Sequence, residues 1–205
     1  KNVSIMNIGS MGYLPQVFKK IENEKKLNIV YLGGSITMGC NATKTELRYV
    51  DRSAKWWQTN FPDAKISYFN AGIGATTSQF GVARVQEHVL DKQPDLVFVE
   101  FSVNDSSSPL FMETYESLVR RLLKAESVKA VVLINNLFYD TGANAQGIHN
   151  AIGLHYDLPI VSVRNYIFPE IQLGNVCLAD YTADMLHPTD LGHKMIADLI
   201  CNLLD

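Results

Sequence analysis

The chain alternates short apolar runs with amphipathic stretches, and this alternation predicts its secondary structure. Five runs are short and rich in β-branched or aromatic residues, which is typical of buried strands: 27–32, 65–70, 95–101, 129–135 and 158–163. Apolar residues at helical spacing predict five helices, near 46–60, 77–91, 113–126, 143–156 and 189–204. The second helix should turn Val85 to the core and Arg84 to the opposite, polar face. Strands that alternate with helices predict parallel βαβ units in a three-layer α/β/α sandwich.

Composition limits the domain organisation and the classes of partner. With 205 residues, of which 47% are hydrophobic, the chain can bury one sizeable core, so a single domain over 1–205 is expected. A net charge of −3 without a basic stripe argues against binding to nucleic acid. No stretch reaches the roughly 18 to 20 uncharged apolar residues of a membrane helix, so we expect no membrane insertion. A small or neutral substrate fits this surface.

The cysteines and the glycine-rich stretches give no sign of a cofactor. Cys40, Cys177 and Cys201 are widely spaced and form no CxxC pair, which argues against a disulfide framework and a zinc knuckle and predicts core positions. The chain contains no GxGxxG stretch and no GK[ST] ending of a phosphate-binding loop. We therefore expect no cofactor and no metal ion.

The stretch IVYLGGSITMG, residues 29–39, places a hydroxyl directly after a predicted strand. Ligands of parallel α/β sheets bind at the carboxyl ends of the strands, so such a loop is a candidate site. Gly33 and Gly34 free the backbone to turn sharply, which puts Ser35 near the start of the next helical turn. Either Ser35 is a nucleophile within reach of a substrate, or it is a helix cap beside a glycine turn that only packs well.

Two further loops carry groups that suit a developing negative charge. In FNAGIGATTSQFG, residues 69–81, Gly74 and Ala75 leave their backbone N–H groups uncovered by large side chains. The alternative is an ordinary turn with a helix cap among residues 76–78. In EFSVND, Asn104 and Asp105 follow a strongly apolar strand, and the amide of Asn104 would point into the same crevice. The alternative there is a common Asn-Asp turn.

The stretch TADMLHPTDLGHKMIADL, residues 182–199, pairs a carboxylate with an imidazole. Asp184 and His187 are close enough in sequence for one turn to bring them together, and a carboxylate beside an imidazole is the second half of a serine triad. A helix-start cluster, or a metal site that adds Asp190 and His193, is the alternative. The remaining histidines lie in predicted helices without such a partner and are expected to be surface or packing residues: His88, His149 and His155.

Together and in this order, the four loops match one family. The chain resembles the SGNH hydrolases, the GDSL-like esterases and lipases, whose four sequence blocks supply serine, glycine, asparagine and histidine. Here GGSIT stands at the GDS block, NAGIGAT resembles the glycine block, SVND the GxND block and DMLHP the DxxHP block. The likeness runs from Leu27 to the last helix and implies a flavodoxin-like sandwich with about five central parallel strands. Residues 33–37 lack the second glycine of GxSxG, which disfavours the α/β-hydrolase fold.

The resemblance implies a role for each matching position. Ser35 would be the nucleophile, His187 the general base, and Asp184 the group that orients His187. The oxyanion would be held by backbone N–H groups and one side-chain amide, supplied by Ser35, by Gly74 or Ala75, and by Asn104.

Three positions depart from the family pattern. Gly34 replaces the aspartate of GDS, which removes a charge beside the nucleophile. Ala75 aligns with the oxyanion glycine; a negative φ would keep its N–H as the donor, whereas a positive φ would favour Gly74. Ser102 replaces the glycine of the third block, which matters only if the backbone there must approach the substrate.

The resemblance also implies a substrate class. Relatives of the GGSIT type are commonly carbohydrate esterases that remove acetyl groups, so a carbohydrate or small-molecule O-acetyl ester is expected. A lysophospholipase or thioesterase of the same mechanism, or a non-catalytic carbohydrate-binding relative, is the alternative. Trp56 and Trp57 could line a sugar site, although their predicted helix favours core packing. The oligomeric state stays open, and an extracellular location is favoured only if the substrate is a polysaccharide.

Overall fold

A computed structural model describes residues 2–205 and contains one six-stranded sheet in the order β1-β6-β5-β4-β2-β3. The strands are β1 (Ile5–Asn7), β2 (Lys26–Gly33), β3 (Lys65–Gly72), β4 (Leu96–Glu100), β5 (Ala130–Asn135) and β6 (Ile160–Ser162). Strands β2 to β6 run parallel, whereas the short β1 lies antiparallel to β6. The order of the parallel strands is that of the flavodoxin-like sheet, which confirms the predicted fold. Only β1 was not predicted.

Helices cover both faces of this sheet. They are α1 (Leu14–Glu24), α2 (Ser35–Met38), α3 (Tyr49–Asn60), α4 (Ser78–His88), α5 (Pro109–Leu123), α6 (Gln146–His155), α7 (Val163–Gln172), α8 (Leu178–Tyr181) and α9 (Asp190–Leu204), with single 3₁₀ turns at Asn2–Ser4, Thr45–Leu47 and Leu90–Lys92. All five predicted helices are present, and α1, α2, α7 and α8 add to them. Within residues 2–205, no helix is long and apolar enough to span a membrane.

The sheet separates two apolar layers, because the inner strands are buried on both faces. One layer packs α1, α3 and α9 against side chains such as Tyr31 and Phe98, and it contains the fully buried Trp57. The other packs α4 and α5 against residues such as Val97 and Val99. Core packing of Trp57 is therefore confirmed. The expectation that all three cysteines fill the core is wrong, because Cys177, the residue directly before α8, is exposed.

Arg84 contradicts the helical pattern from which α4 was predicted. Both Val85 and Arg84 are buried, and Arg84 is only 5% exposed. Its guanidinium reaches the carbonyl groups at the ends of two strands, so it occupies the sheet-facing side of α4 and not the solvent-facing side.

Candidate active site

Three predicted residues meet where the end of β2 and the loop before α9 come together. Ser35 begins α2 directly after β2, and its Oγ donates to His187 Nε2 at 2.9 Å. His187 Nδ1 donates to Asp184 Oδ2 at 2.6 Å. Because an ionised carboxylate only accepts, this second bond fixes the ring proton on Nδ1 and turns the lone pair of Nε2 toward the serine. The arrangement has the geometry of a serine–histidine–aspartate triad.

Asp184 is held by the backbone of its own turn. Its Oδ1 accepts the N–H of His187 at 2.7 Å and that of Leu186 at 3.1 Å. Burial alone would raise the pKa of Asp184, but the hydrogen bonds from the His187 ring and from these two backbone groups outweigh it and lower the pKa to about 2. Met185 takes a φ of +66° between them, which turns the chain sharply enough for both bonds to form. The carboxylate is therefore ionised at neutral pH.

The second block lies beside Ser35. A Cβ atom placed on Gly74 would lie 4.0 Å from Ser35 Cβ and 3.5 Å from Met38 Cε, so Gly74 lies next to the serine. Ala75 has a φ of +58°, in the left-handed region that favours glycine. A positive φ at Ala75 is the case in which Gly74, and not Ala75, is expected to be the donor. No protein acceptor within residues 2–205 takes up the N–H of either residue.

Asn104 belongs to the third block and lies against Gly34, the residue before Ser35. A Cβ atom on Gly34 would overlap Asn104 Oδ1 and lie 3.2 Å from its Cγ. This oxygen is buried without a partner among the described residues, and the Nδ2 group donates to none of them. The amide thus lies against the Gly34 backbone with an N–H free for a ligand.

The two glycines before Ser35 are closely packed, and neither has a positive φ. Gly34 has a φ of −91°, and Gly33 is not among the residues with positive φ. A Cβ on Gly33 would overlap Thr37 Oγ1 and lie 2.6 Å from the carbonyl oxygen of Glu100. Beside the expected conformational freedom, these glycines therefore let neighbouring groups approach the turn that carries Ser35.

His149 has a partner that the sequence argument missed. Its Nε2 lies 3.0 Å from Asp105 Oδ2, both side chains are fully buried, and the imidazole stacks on Tyr115 at 3.6 Å between ring centroids. Burial lowers the pKa of His149. The other oxygen of Asp105 accepts the N–H of Ser78, the first residue of α4, at 2.9 Å. Asp105 therefore ties the Asn104 loop to α4 and α6.

A second buried carboxyl group lies at the end of β4. Glu100 is fully buried, and Thr37 Oγ1 donates to its Oε2 at 3.4 Å. Burial raises the pKa of Glu100 to about 7. Because Thr37 belongs to α2, this carboxyl group lies directly beneath the turn that carries Ser35.

The alternative metal site is not assembled. Asp190 accepts from the N–H of Thr43 at 2.8 Å and from its hydroxyl at 2.6 Å, while His193 Nε2 contacts the carbonyl oxygen of Cys40 at 3.0 Å. These side chains are thus engaged elsewhere. In the part of the chain that the structure describes, no three histidine, cysteine, aspartate or glutamate side chains cluster as metal ligands.

The triad lies at an open surface. Ser35 is 8% exposed, whereas the side chains of His187 and Asp184 are 23% and 47% exposed. A groove of about 590 Å³ between α3 and α9 is lined by other residues and contains no triad member. The His187 and Asp184 side of the site is therefore exposed at the surface of the molecule.

Comparison with known proteins identifies the family. A model of the GDSL-like Lipase/Acylhydrolase family matches residues 31–195, a span that contains all four blocks. The chain belongs to this family. The resemblance to SGNH hydrolases is thereby confirmed, and with it the assignment to the carboxylic ester hydrolases at the level of the family.

Individual relatives of this GDSL-like chain include several esterases. The acetylxylan esterase of Geobacillus stearothermophilus is 25% identical, over 87% of this chain and 93% of its own length. Thioesterase 1/protease 1/lysophospholipase L1 of Escherichia coli K12 is also 25% identical, over 86% and 82%. A solved two-domain esterase active on acetylated mannans, co-crystallised with mannopentaose, superposes on all of this chain with a TM-score of 0.97 and 46% identity. The chain spans about half (55%) of that two-domain protein.

Proposed function

We propose that Ser35, His187 and Asp184 form a catalytic triad and that the protein hydrolyses short-chain acyl esters through an acyl-enzyme. The observation that carries this proposal is the continuous line of hydrogen bonds from Ser35 Oγ through the imidazole to the carboxylate, at 2.9 and 2.6 Å. A serine that only capped a helix would not need an oriented imidazole on its hydroxyl, so the geometry favours the nucleophile.

In the proposed reaction His187 acts first as a base and then as an acid. Its Nε2 takes the proton from Ser35 Oγ as the oxygen attacks the ester carbonyl, and it returns that proton to the alkoxide that leaves. Asp184 stays ionised and stabilises the imidazolium. A water molecule, deprotonated by the same Nε2, then hydrolyses the acyl-serine and releases the acid.

The oxyanion of each tetrahedral intermediate would be held by three donors. Ser35 N–H lies at the first position of α2, where no carbonyl of the helix can accept it. Gly74 lies next to Ser35 and supplies its backbone N–H, and Asn104, which lies against Gly34, supplies its side-chain amide. Ala75 is the alternative backbone donor, although its strained φ makes Gly74 the one we favour. Such donors contribute most where charge develops.

We further propose that the substrate is an O-acetyl ester on a carbohydrate, with acetylated mannan as the first candidate. The support is the 46% identity to a two-domain esterase active on acetylated mannans, together with the acetylxylan esterase among the relatives. The open position of the triad is compatible with a sugar chain as the alcohol part. The lysophospholipase named among the relatives makes a longer acyl group the second candidate.

The proposal is tested by acid release from acetylated mannan and from p-nitrophenyl esters of increasing acyl length. We expect acetate release from the mannan, and a higher kcat/KM for acetyl than for octanoyl esters. Ser35→Ala should lower kcat on the order of 10⁶-fold by analogy with other serine triads. Ser10 lies between β1 and α1, and Ser10→Ala should keep the wild-type kcat. Activity that rises steadily with acyl length would favour the second candidate, and no acid from any ester would contradict the proposal.

A further inference from the structure

Arg84 clamps the ends of the two strands that precede the proposed oxyanion donors. From α4, its Nη1 donates to the carbonyl oxygen of Ala71 at 2.6 Å and its Nη2 to that of Gly33 at 3.0 Å. Ala71 and Gly33 lie at the carboxyl ends of β3 and β2, which pair in register up to Gly33 and Gly72. One guanidinium therefore spans two neighbouring strands at the edge where the site is built.

The charge of Arg84 is not balanced by a carboxylate. Within residues 2–205, no aspartate or glutamate oxygen lies within 4.0 Å of the guanidinium, and its Nε is buried without a partner. Its other neighbours are His88 Nδ1 at 3.3 Å and the Phe80 ring at 5.8 Å. Burial lowers the pKa of Arg84 to about 10, so the group remains charged at neutral pH.

A buried cation without a counter-ion opposes folding, and an apolar side chain would fill the same space at lower cost. The fork shape of the guanidinium offers something that an apolar residue or a lysine does not, namely two donors at a fixed separation. In this structure both donors are directed at strand carbonyls. The role of Arg84 therefore depends on the two backbone segments whose carbonyl groups it binds.

Both carbonyl groups lie a few residues before the proposed oxyanion donors, Gly33 two before Ser35 and Ala71 three before Gly74. The Gly33 oxygen accepts a second bond, from the N–H of Ile73 at 3.1 Å. Gly33 lies two residues before Ser35, and Ile73 lies directly before Gly74. The bond from Ile73 to Gly33 therefore links the chain segment that leads to Ser35 with the one that leads to Gly74.

We propose that Arg84 is a positioning residue of the oxyanion hole, which fixes the separation of the Ser35 and Gly74 N–H donors by bridging the carbonyls of Gly33 and Ala71. This inference rests on the proposed function, because it assumes that Ser35 attacks an ester carbonyl. Arg84 touches no reacting atom. Its effect is confined to steps in which the oxyanion forms.

The test compares Arg84→Met and Arg84→Lys with wild type, using p-nitrophenyl acetate. Arg84→Met removes both donors and keeps the stem, so kcat should fall about 10- to 100-fold while KM changes less than about twofold. Arg84→Lys keeps the charge but supplies a single point donor, and its kcat should fall between those of wild type and Arg84→Met. Arg121→Met is the matched control. Like Arg84, Arg121 donates to a backbone carbonyl, but its acceptor is Val82 in α4, at 3.0 Å, and its side chain is exposed. Its loss should leave kcat unchanged.

Phenylboronic acid supplies a readout that a loss of stability alone would not move. It forms a tetrahedral anionic adduct with an active-site serine, so its Ki should rise by the same factor as kcat/KM falls across the Arg84 variants. A folded Arg84→Met with wild-type kcat, or one whose Ki stays constant while kcat falls, would overturn the inference. Arg84→Lys decides the question if Arg84→Met does not fold. Failure of the proposed function itself is distinguishable, because the wild-type protein would then hydrolyse no ester.

Discussion

Adding one methyl group at Gly34 should disable the proposed oxyanion site and leave Ser35, His187 and Asp184 in place. In the structure a Cβ on Gly34 overlaps Asn104 Oδ1 and lies 3.2 Å from its Cγ, so the asparagine amide must move. The φ of −91° at Gly34 is outside the left-handed region, and alanine there meets no left-handed strain. The effect of Gly34→Ala therefore acts through Asn104. The aspartate of the family's GDS block would meet the same obstacle in this protein.

The size of the effect follows from the donor that is displaced. Loss of one oxyanion donor lowers kcat by about 10²- to 10³-fold, or roughly 2.7 to 4 kcal/mol, because the bond is strongest in the transition state. KM should change little, since ground-state binding does not use this bond. Asn104→Ala removes the same donor directly and should give a loss of the same order.

The assay measures kcat and KM for p-nitrophenyl acetate, with a thermal melt for each protein. Gly34→Ala and Asn104→Ala remove the same interaction. The kcat of the double variant should therefore fall no further than that of the more impaired single variant. Gly147→Ala is the matched control, since a Cβ there meets no atom within 4 Å and its position in α6 accepts alanine. Wild-type kcat in Gly34→Ala, or additive losses in the double variant, would refute the reasoning.

Three further substitutions test separate parts of the site. Ala75→Gly should raise the free energy of unfolding by roughly 0.5 to 1 kcal/mol, because relief of left-handed strain exceeds the added freedom of the unfolded chain; a lower melting temperature would contradict this. Glu100, with its pKa raised to about 7, favours the folded state when protonated, so stability is greatest below the unfolded pKa and is lost as the pH rises through 7. Between pH 5 and 8, the free energy of unfolding of wild type, measured in urea, should therefore fall by up to about 3 kcal/mol relative to that of Glu100→Gln. Equal pH profiles for the two proteins would argue against a raised pKa. Asp105→Ala should cost roughly 3 kcal/mol of stability, since it unpairs His149 and the α4 N–H, whereas Asn104→Ala should affect kcat and leave the melt unchanged. If Asp105→Ala instead abolishes kcat without unfolding while Asn104→Ala does not, the third block is misaligned by one residue.

The parallel sheet was predictable because its signal is local. Strands β4 and β5 are buried at every position, and an unbroken apolar run of that length leaves few other structures. Strand β1 has only three residues, which are too few to show an alternation of apolar and polar positions. Helix α1, which was not predicted, does show a helical period, because Leu14, Val17 and Ile21 are buried on one face.

The candidate site was predictable only where its residues form motifs. Asp184 and His187 are neighbours in sequence, but Ser35 lies 152 residues from His187, and the family resemblance supplied that pairing. Helical periodicity placed Arg84 on a polar face because it cannot distinguish a side chain that faces water from one that donates to buried carbonyls. The contact between Gly34 and Asn104 likewise depends on two strands that become neighbours only in the folded sheet.

The central claim, that Ser35 is the nucleophile, is tested most directly by locating the adduct of a serine-directed phosphonate by peptide mass mapping. We predict a single modification, at Ser35, formed in wild type and in Ser10→Ala and absent from Ser35→Ala. The label should form because His187 and the oxyanion donors activate this hydroxyl and no other. A label at Ser10, Ser78 or Ser102, or one that persists in Ser35→Ala, would contradict the account.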